Sequence, residues 1–382
     1  MKITISVLGR FHLFYLAKQL QDHNFLARLI TSYPKFETVK YGINPENIKS
    51  LLSHEIHNRG WRKISWITES LFNPQYMIFE LYDRHASRHL IASDIFVGLS
   101  SCSLYTLRRA RQMGVKTVLE RGSSHMLYQR KILEEEYARF GLSKVVVHPQ
   151  VVERELQEYQ EADFISIPSR FVKNTFLRQG IPEAKLIQTP YGVDLTHFYP
   201  GLKQDKIFRI IHCGALSIRK GLPYLLQAFF ELKLREAELW LIGSLTKEIK
   251  PILAKFASPA IVHKGPFPEK DLHQYYSQGS VFCLASIEEG FGMVTVQAMA
   301  GGLPVICTTN TGAADIVREG QDGFVVPIRD VTALKEKILY FYENPEACRV
   351  MGKSARMRVQ AGFSWSDYGH KMIAAYQKIL NS

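Results

Sequence analysis

A chain of 382 residues, 46% apolar and 22% charged, is longer than one hydrophobic core usually serves and too apolar to be disordered, so two globular domains are expected. The formal charge of +12 is diffuse; it suits a solvated surface, an anionic membrane face or phosphorylated substrates, and no recognised nucleic-acid motif accompanies it. Arg10 and His12 break the opening apolar run, which excludes a convincing signal peptide, and no apolar run reaches membrane-spanning length, so any membrane contact is expected to be peripheral. Cys102, Cys213, Cys283, Cys307 and Cys348 are scattered, form no Cys-x-x-Cys pair and mostly sit in apolar runs, as buried thiols of a reducing cytosol do.

Lys2 to Leu8 reads as a first strand, Gly9-Arg10-Phe11-His12 as the loop after it, and Phe14, Leu16, Ala17 and Leu20 as a helix. One glycine stands where a dinucleotide fingerprint wants three, which excludes a Rossmann cofactor site. Ala27 to Thr31 predicts a second strand. From about residue 45 to 93 the pattern is mainly helical, with Trp61, Trp66, Phe72, Tyr76, Phe79 and Tyr82 among Lys49, His54, His57, Arg59, Arg62 and Lys63. That mix fits either an interfacial amphipathic segment or core aromatics beneath a solvated basic face, and the second is preferred. Asp94 to Leu99 is a buried strand, Leu104 to Met113 a helix and Val115 to Leu119 a strand, which ends in Glu120-Arg121-Gly122-Ser123-Ser124-His125. Glu153 to Ala162 predicts a helix, Asp163 to Ser169 a strand and turn, and Phe171 to Gly180 a helix. Tyr191-Gly192-Val193-Asp194 closes this half, and Pro200 to Lys206 reads as a linker.

Phe208 to Gly214 restarts the pattern of strand, loop and helix, with the loop running from Ala215 to Gly221 and carrying Arg219-Lys220. A basic pair at a helix start opposes the helix dipole, and a bound anion removes the conflict. Glu238 to Gly243 and Ile261 to Gly265 are strands, and Asp271 to Gln278 is helical. Val281 to Ala285 is a continuous apolar strand, followed by the turn Glu288-Glu289-Gly290-Phe291-Gly292, a helix from Met293, a glycine stop at Gly301-Gly302 and the strand Val305 to Cys307. This is a parallel βαβ unit with its loop at the carboxyl end of a strand, where open α/β sheets bind ligands. Its helix start suits phosphate, so the carboxylate just before it is assigned to sugar hydroxyls. Thr311 to Asp315 opens a further helix, Gly320 to Pro327 is a turn and strand, and Ser366 to Leu380 is the last helix.

The stretch EGFGMVTVQAMAGGLPV, from Glu289 to Val305, resembles the signature of family-four retaining glycosyltransferases of the GT-B fold. In that signature one glutamate precedes Gly-Phe-Gly and a second lies eight positions later; Glu289 matches the first, while Gln297 stands at the second. The loop ending in Lys220-Gly221 resembles the family's diphosphate loop, with Ala215 where many members have arginine. The likeness covers nearly the whole chain, weakly before about residue 90. It implies two Rossmann-like α/β domains facing across a cleft: residues 1–200 bind the acceptor, residues 201–365 bind the nucleotide sugar, and the helix of residues 366–382 crosses back to the first domain.

The resemblance also implies the chemistry, which is transfer of a sugar from a nucleoside diphosphate to an acceptor hydroxyl with retention. No Asp-x-Asp motif occurs, so no metal and no other cofactor is expected. Catalytic roles fall on His125, Glu289 and Lys220: the family carries a histidine in the loop after this strand, although a structural histidine is equally consistent with the residues. Substrate contacts fall on Gly9, Gly214, Arg219, Lys220, Gly265, Gly290, Phe291, Gly292 and Gln297, with Gln297 at the ribose and Gly265 beside the base. Arg10 and His12 face donor phosphates or acceptor, or else lie on the surface. The expected partners are a nucleotide-sugar donor, a glycan or lipid-linked acceptor and an anionic membrane at its cytoplasmic face, and not nucleic acid. The alternatives are a nucleotide-sugar-binding protein that does not transfer, and a sugar-phosphate synthase or phosphorylase-like enzyme.

Overall fold

The apolar runs become two all-parallel sheets in the computed structural model, which describes residues 1–56, 59–60, 75–143 and 146–381. The first sheet contains β1 (Ile3–Val7), β2 (Leu26–Thr31), β3 (Ile48–Ser50), β4 (Ile95–Leu99), β5 (Lys116–Glu120), β6 (Phe164–Ile167) and β7 (Leu186–Gln188) in the order β3-β2-β1-β4-β5-β6-β7. The second contains β8 (Phe208–Cys213), β9 (Ala237–Ile242), β10 (Ile261–Gly265), β11 (Val281–Leu284), β12 (Val305–Thr308) and β13 (Gly323–Val326) in the order β10-β9-β8-β11-β12-β13. Central strands are buried on both faces, as β1 and β11 are along their whole lengths, which is why they read as unbroken apolar runs rather than alternating ones. Register is held on both sides: Ile5 pairs with Leu29 and with Val97, and Phe282 with Ile211 and with Val305.

In each sheet the strand order reverses beside the first strand of that half, between β1 and β4 and between β8 and β11. Such a switch point leaves a crevice outside the carboxyl ends of the strands. The two crevices face one another and form one cleft. The halves are held together by shared cores. The helix Met126–Arg139 lies in the first half of the chain, yet Ile132, Leu133 and Tyr137 are buried among Leu216, Leu225 and Ile249 of the second. The last helix, Trp365–Asn381, returns to pack on Leu13–Asp22, with Trp365 stacked on Tyr15 at 4.0 Å and 4°.

Three expectations change. The span from residue 45 to 93 is mainly helical where it is described, at residues 52–56 and Gln75–Ser87, but it opens with the unexpected short strand β3; His57, Trp61, Arg62, Lys63, Trp66 and Phe72 lie outside the described residues. A helix was not expected at Met126–Arg139, where the apolar side chains are interrupted by Glu134, Glu135 and Glu136. Thr311 to Asp315 forms only a short 3-10 turn, Gly312–Asp315, because the chain there is pinned by the Gly312 N–H to the Glu289 carbonyl. Among the described residues no helix is long and apolar enough to cross a membrane.

Candidate active site

The cleft encloses about 1140 Å³. Its first wall comes from the loop after β1 (Leu8 to His12), the loop after β4 (Leu99 to Cys102), Arg121 to Ser123 after β5, and Tyr191. Its second wall comes from Cys213 and Gly214 after β8, Lys220, Glu269, Glu289, the residues Phe291 to Val294, and Gln297. Gly292 caps the helix Met293–Ala300 with φ +83°, a left-handed conformation that glycine adopts without steric cost, and it turns the helix start into the cleft. The first N–H groups of that helix have no partner within it, so they present partial positive charge to whatever occupies the cleft.

Lys220 and Glu289 meet as an ion pair at this helix start. Each side chain is mostly buried, 18% and 16% exposed, so the pair is both desolvated and open to a ligand from one side. Burial, with Arg219 next in the chain, pulls the Lys220 ammonium below its usual value, and the negative charge of Glu288 works against them. Glu289 is fixed from behind: its N–H donates to the Asn310 carbonyl at 3.0 Å. Gly221, at φ +64°, lets the basic loop pass under Ala285, whose carbonyl would collide with any Cβ there.

Arg219 turns away from the expected phosphate. Its guanidinium lies 2.8 Å from the Glu288 carboxylate and 3.5 Å from the Ser123 hydroxyl. Glu288 is fully buried and accepts hydrogen bonds from the Ser124 N–H at 3.0 Å, the Ser124 hydroxyl at 2.7 Å and the Gln129 amide at 3.0 Å. Burial alone would raise this carboxyl, but Arg219 and these donors overcome it and hold Glu288 at about 2. Arg121, also buried, links the arrangement to Glu155 at 2.9 Å and to the Gln129 carbonyl oxygen at 2.9 Å. A charged seam therefore crosses from one half of the chain to the other behind the cleft.

His125 is not in the cleft. Its ring packs against Tyr159 and Phe176, and Nδ1 accepts from the Leu127 N–H at 3.3 Å, capping the helix Met126–Arg139. Burial and the nearby Arg121 pull its pKa down to about 4, so it is neutral. The histidine that lines the cleft is His12, whose Nε2 lies 2.9 Å from the buried Glu120 carboxylate and whose ring stacks on Tyr191 at 4.0 Å. Its position in a loop after a strand was the signal for it, and Glu120, the last residue of another strand, was its unrecognised partner. Gly9, Gly214, Lys220, Glu289, Phe291, Gly292 and Gln297 all line the cleft. Gly290 lies against the Gly122 backbone and accepts from the Ser169 hydroxyl at 2.7 Å, and Gly265 accepts from the Gly243 N–H at 2.9 Å at the end of β10; neither lines the cleft.

Gln297, at the position of the family's second glutamate, is 4% exposed. Its amide donates to the Glu269 carboxylate at 2.9 Å, and its carbonyl oxygen accepts from the Tyr276 hydroxyl at 3.4 Å.

Residues 196–358 match the family described as glycosyl transferases group 1. A putative glycosyltransferase of Bacillus subtilis, EpsD, is 30% identical over 160 residues, 41% of this chain and 42% of the relative. An α-(1→4)-mannosyltransferase of Mycolicibacterium hassiacum is 25% identical over 228 residues, 58% of this chain and 55% of that one. The chain thus spans about half the length of the curated relatives it matches. Solved structures match over the full length: sucrose-phosphate synthase of Thermosynechococcus elongatus, with a TM-score of 0.74 at 19% identity, covers 100% of this chain and 99% of its own. Anabaena HepE, solved in complex with UDP, has a TM-score of 0.71 at 13% identity and covers 99% and 100%. The second half of the chain is thus similar to the glycosyl transferases group 1 family, and the whole chain has the GT-B fold of these solved structures.

Proposed function

We propose that the protein transfers a sugar from a nucleoside diphosphate sugar to an acceptor hydroxyl, with retention of configuration and without a metal clamp. The observation that carries this reading is the meeting of Lys220, Glu289 and the start of the helix Met293–Ala300 on one wall of the cleft. A departing diphosphate needs positive charge at the moment the bond breaks, and an ammonium and a helix start supply it without rearrangement. In the absence of donor, Glu289 neutralises Lys220. On binding, the diphosphate takes over the ammonium, and Glu289 is released to hold sugar hydroxyls. The acceptor enters from the opposite wall, beside His12 and the loop after β4. With no protein nucleophile at the sugar, the acceptor attacks from the face the diphosphate leaves, and the leaving phosphate takes its proton.

A glycan acceptor is consistent with relatives named for colanic acid and capsular polysaccharide biosynthesis, which are 24% and 29% identical over parts of the chain. The unpaired cysteines fit a reducing compartment, and the net positive charge fits work beside an anionic membrane. The test is a panel of nucleotide sugars, read first by thermal shift and then by release of nucleoside diphosphate. One donor is expected to stabilise the protein and to be turned over, giving a product with the donor's anomeric configuration. Stabilisation without turnover against any acceptor would favour a binding protein; an inverted product would exclude the same-face route.

A further inference from the structure

Gln297 is held at both ends of its amide: one N–H donates to Glu269 and the oxygen accepts from Tyr276, so its orientation is set by these two residues. What the pair presents to the cleft is the carboxylate of Glu269. Glu269 opens the short turn Glu269–Asp271 after β10, outside the signature that led to the sugar-transfer reading. One of its oxygens is held by Gln297 at 2.9 Å, and among the described residues no hydrogen bond fills the other. Burial raises the pKa of this carboxyl, and the positive charge of Arg10 on the opposite wall acts against that rise. A partly desolvated carboxylate with open lone pairs is costly unless a ligand brings donors to it.

The position of Glu269 defines the ligand group. Gln297 is five residues beyond the helix cap Gly292, about 7.5 Å along the axis at 1.5 Å per residue. A nucleoside diphosphate with its phosphates at the helix start would bring its sugar hydroxyls towards this part of the cleft. A vicinal diol offers two O–H donors to one carboxylate, whereas a further phosphate would be repelled. We propose that Glu269 binds the ribose diol of the nucleotide and that Gln297 is a positioning residue that holds it there. The carboxylate has moved from the helix to the neighbouring turn, while its place beside the ligand is kept. This inference rests on the nucleotide-sugar reading above.

The test measures binding of UDP and GDP, and of their 2′,3′-dideoxy counterparts, to the full chain by titration calorimetry. The wild type is expected to prefer the ribose form of whichever nucleotide it binds by about tenfold or more, the worth of a charge-assisted hydrogen bond. Glu269→Gln should reduce that preference to below about threefold, while the dideoxy form binds as before. In the exchange variant Glu269→Gln/Gln297→Glu a carboxylate returns on the helix, and the preference should recover. Glu269 lies on a half-exposed turn, and thermal unfolding of each variant verifies its fold. A wild-type preference that survives in Glu269→Gln, or an exchange variant no better than Glu269→Gln, overturns the assignment and leaves the nucleotide reading intact. A wild type that binds neither of these nor any other nucleoside diphosphate of the donor panel overturns both.

Discussion

Replacing Glu288 by glutamine tests the charged seam behind the cleft. The carboxylate is fully buried, and one ion pair and three hydrogen bonds converge on it. An amide in the same place still accepts from Ser124, but its NH2 group faces two other donors, the Gln129 amide and the Arg219 guanidinium. The carboxyl falls from an ordinary 4.5 to about 2, which at 1.36 kcal/mol per pH unit is worth about 3 kcal/mol at neutral pH. Because the folded value is the lower one, this stabilisation is complete above pH 4.5 and is lost as pH falls towards 2. Urea unfolding, followed by tryptophan fluorescence, should therefore place Glu288→Gln about 3 kcal/mol below the wild type at pH 7 and less than about half as far below it at pH 3. A gap of equal size at both pH values would show that packing, not charge, holds the seam. A gap under about 1 kcal/mol at pH 7 would show that Arg219 and solvent already satisfy the site.

Lys220→Ala should lower turnover by roughly 10²–10³-fold and weaken nucleoside diphosphate binding, while Arg219→Ala, which loses its contact with Glu288, should cost stability more than turnover; steady-state kinetics and calorimetry on both variants separate the two. His125→Asn retains a cap acceptor for the Leu127 N–H, so turnover should stay within about threefold while the thermal midpoint falls; a loss of 10² or more would restore a catalytic role to this residue. Gly290→Ala would drive a Cβ into the Gly122 carbonyl of the opposite half, so this variant should be strongly destabilised, and a midpoint equal to that of the wild type would show that the halves can part there without cost.

The parts of the molecule that were legible in the sequence are those with local causes. Strands buried on both faces announce themselves as apolar runs, so β1, β4, β8 and β11 were placed to within a residue or two at each end. The βαβ signature carried its own turn, helix start and glycine stop. What escaped depends on distant partners. Glu288 looks like half of an exposed acidic pair, and only Ser124 and Gln129, more than 150 positions earlier, make it a buried clamp. His125 sits beside Gly-Ser-Ser in a loop that suggests function, yet the helix it caps has too weak an apolar stripe to be seen in advance. Three residues of β3 are too few to show a period. The substitution at Gln297 was visible, whereas Glu269, its partner, lies outside the signature.

The last helix has a consequence for how this chain is made. Trp365, Tyr368, Met372 and Tyr376 belong to the same buried cluster as Ile3, Leu13, Leu16 and Leu20. At translation rates of 5–20 residues per second, the roughly 350 residues between Leu13 and Trp365 take about 20–70 s to synthesise. Throughout that time the first helix leaves the ribosome with the face that will receive Trp365 bare. The amino-terminal half must therefore wait in an incompletely sealed state, in the reach of chaperones and proteases, until the final turns of the chain emerge and cover it.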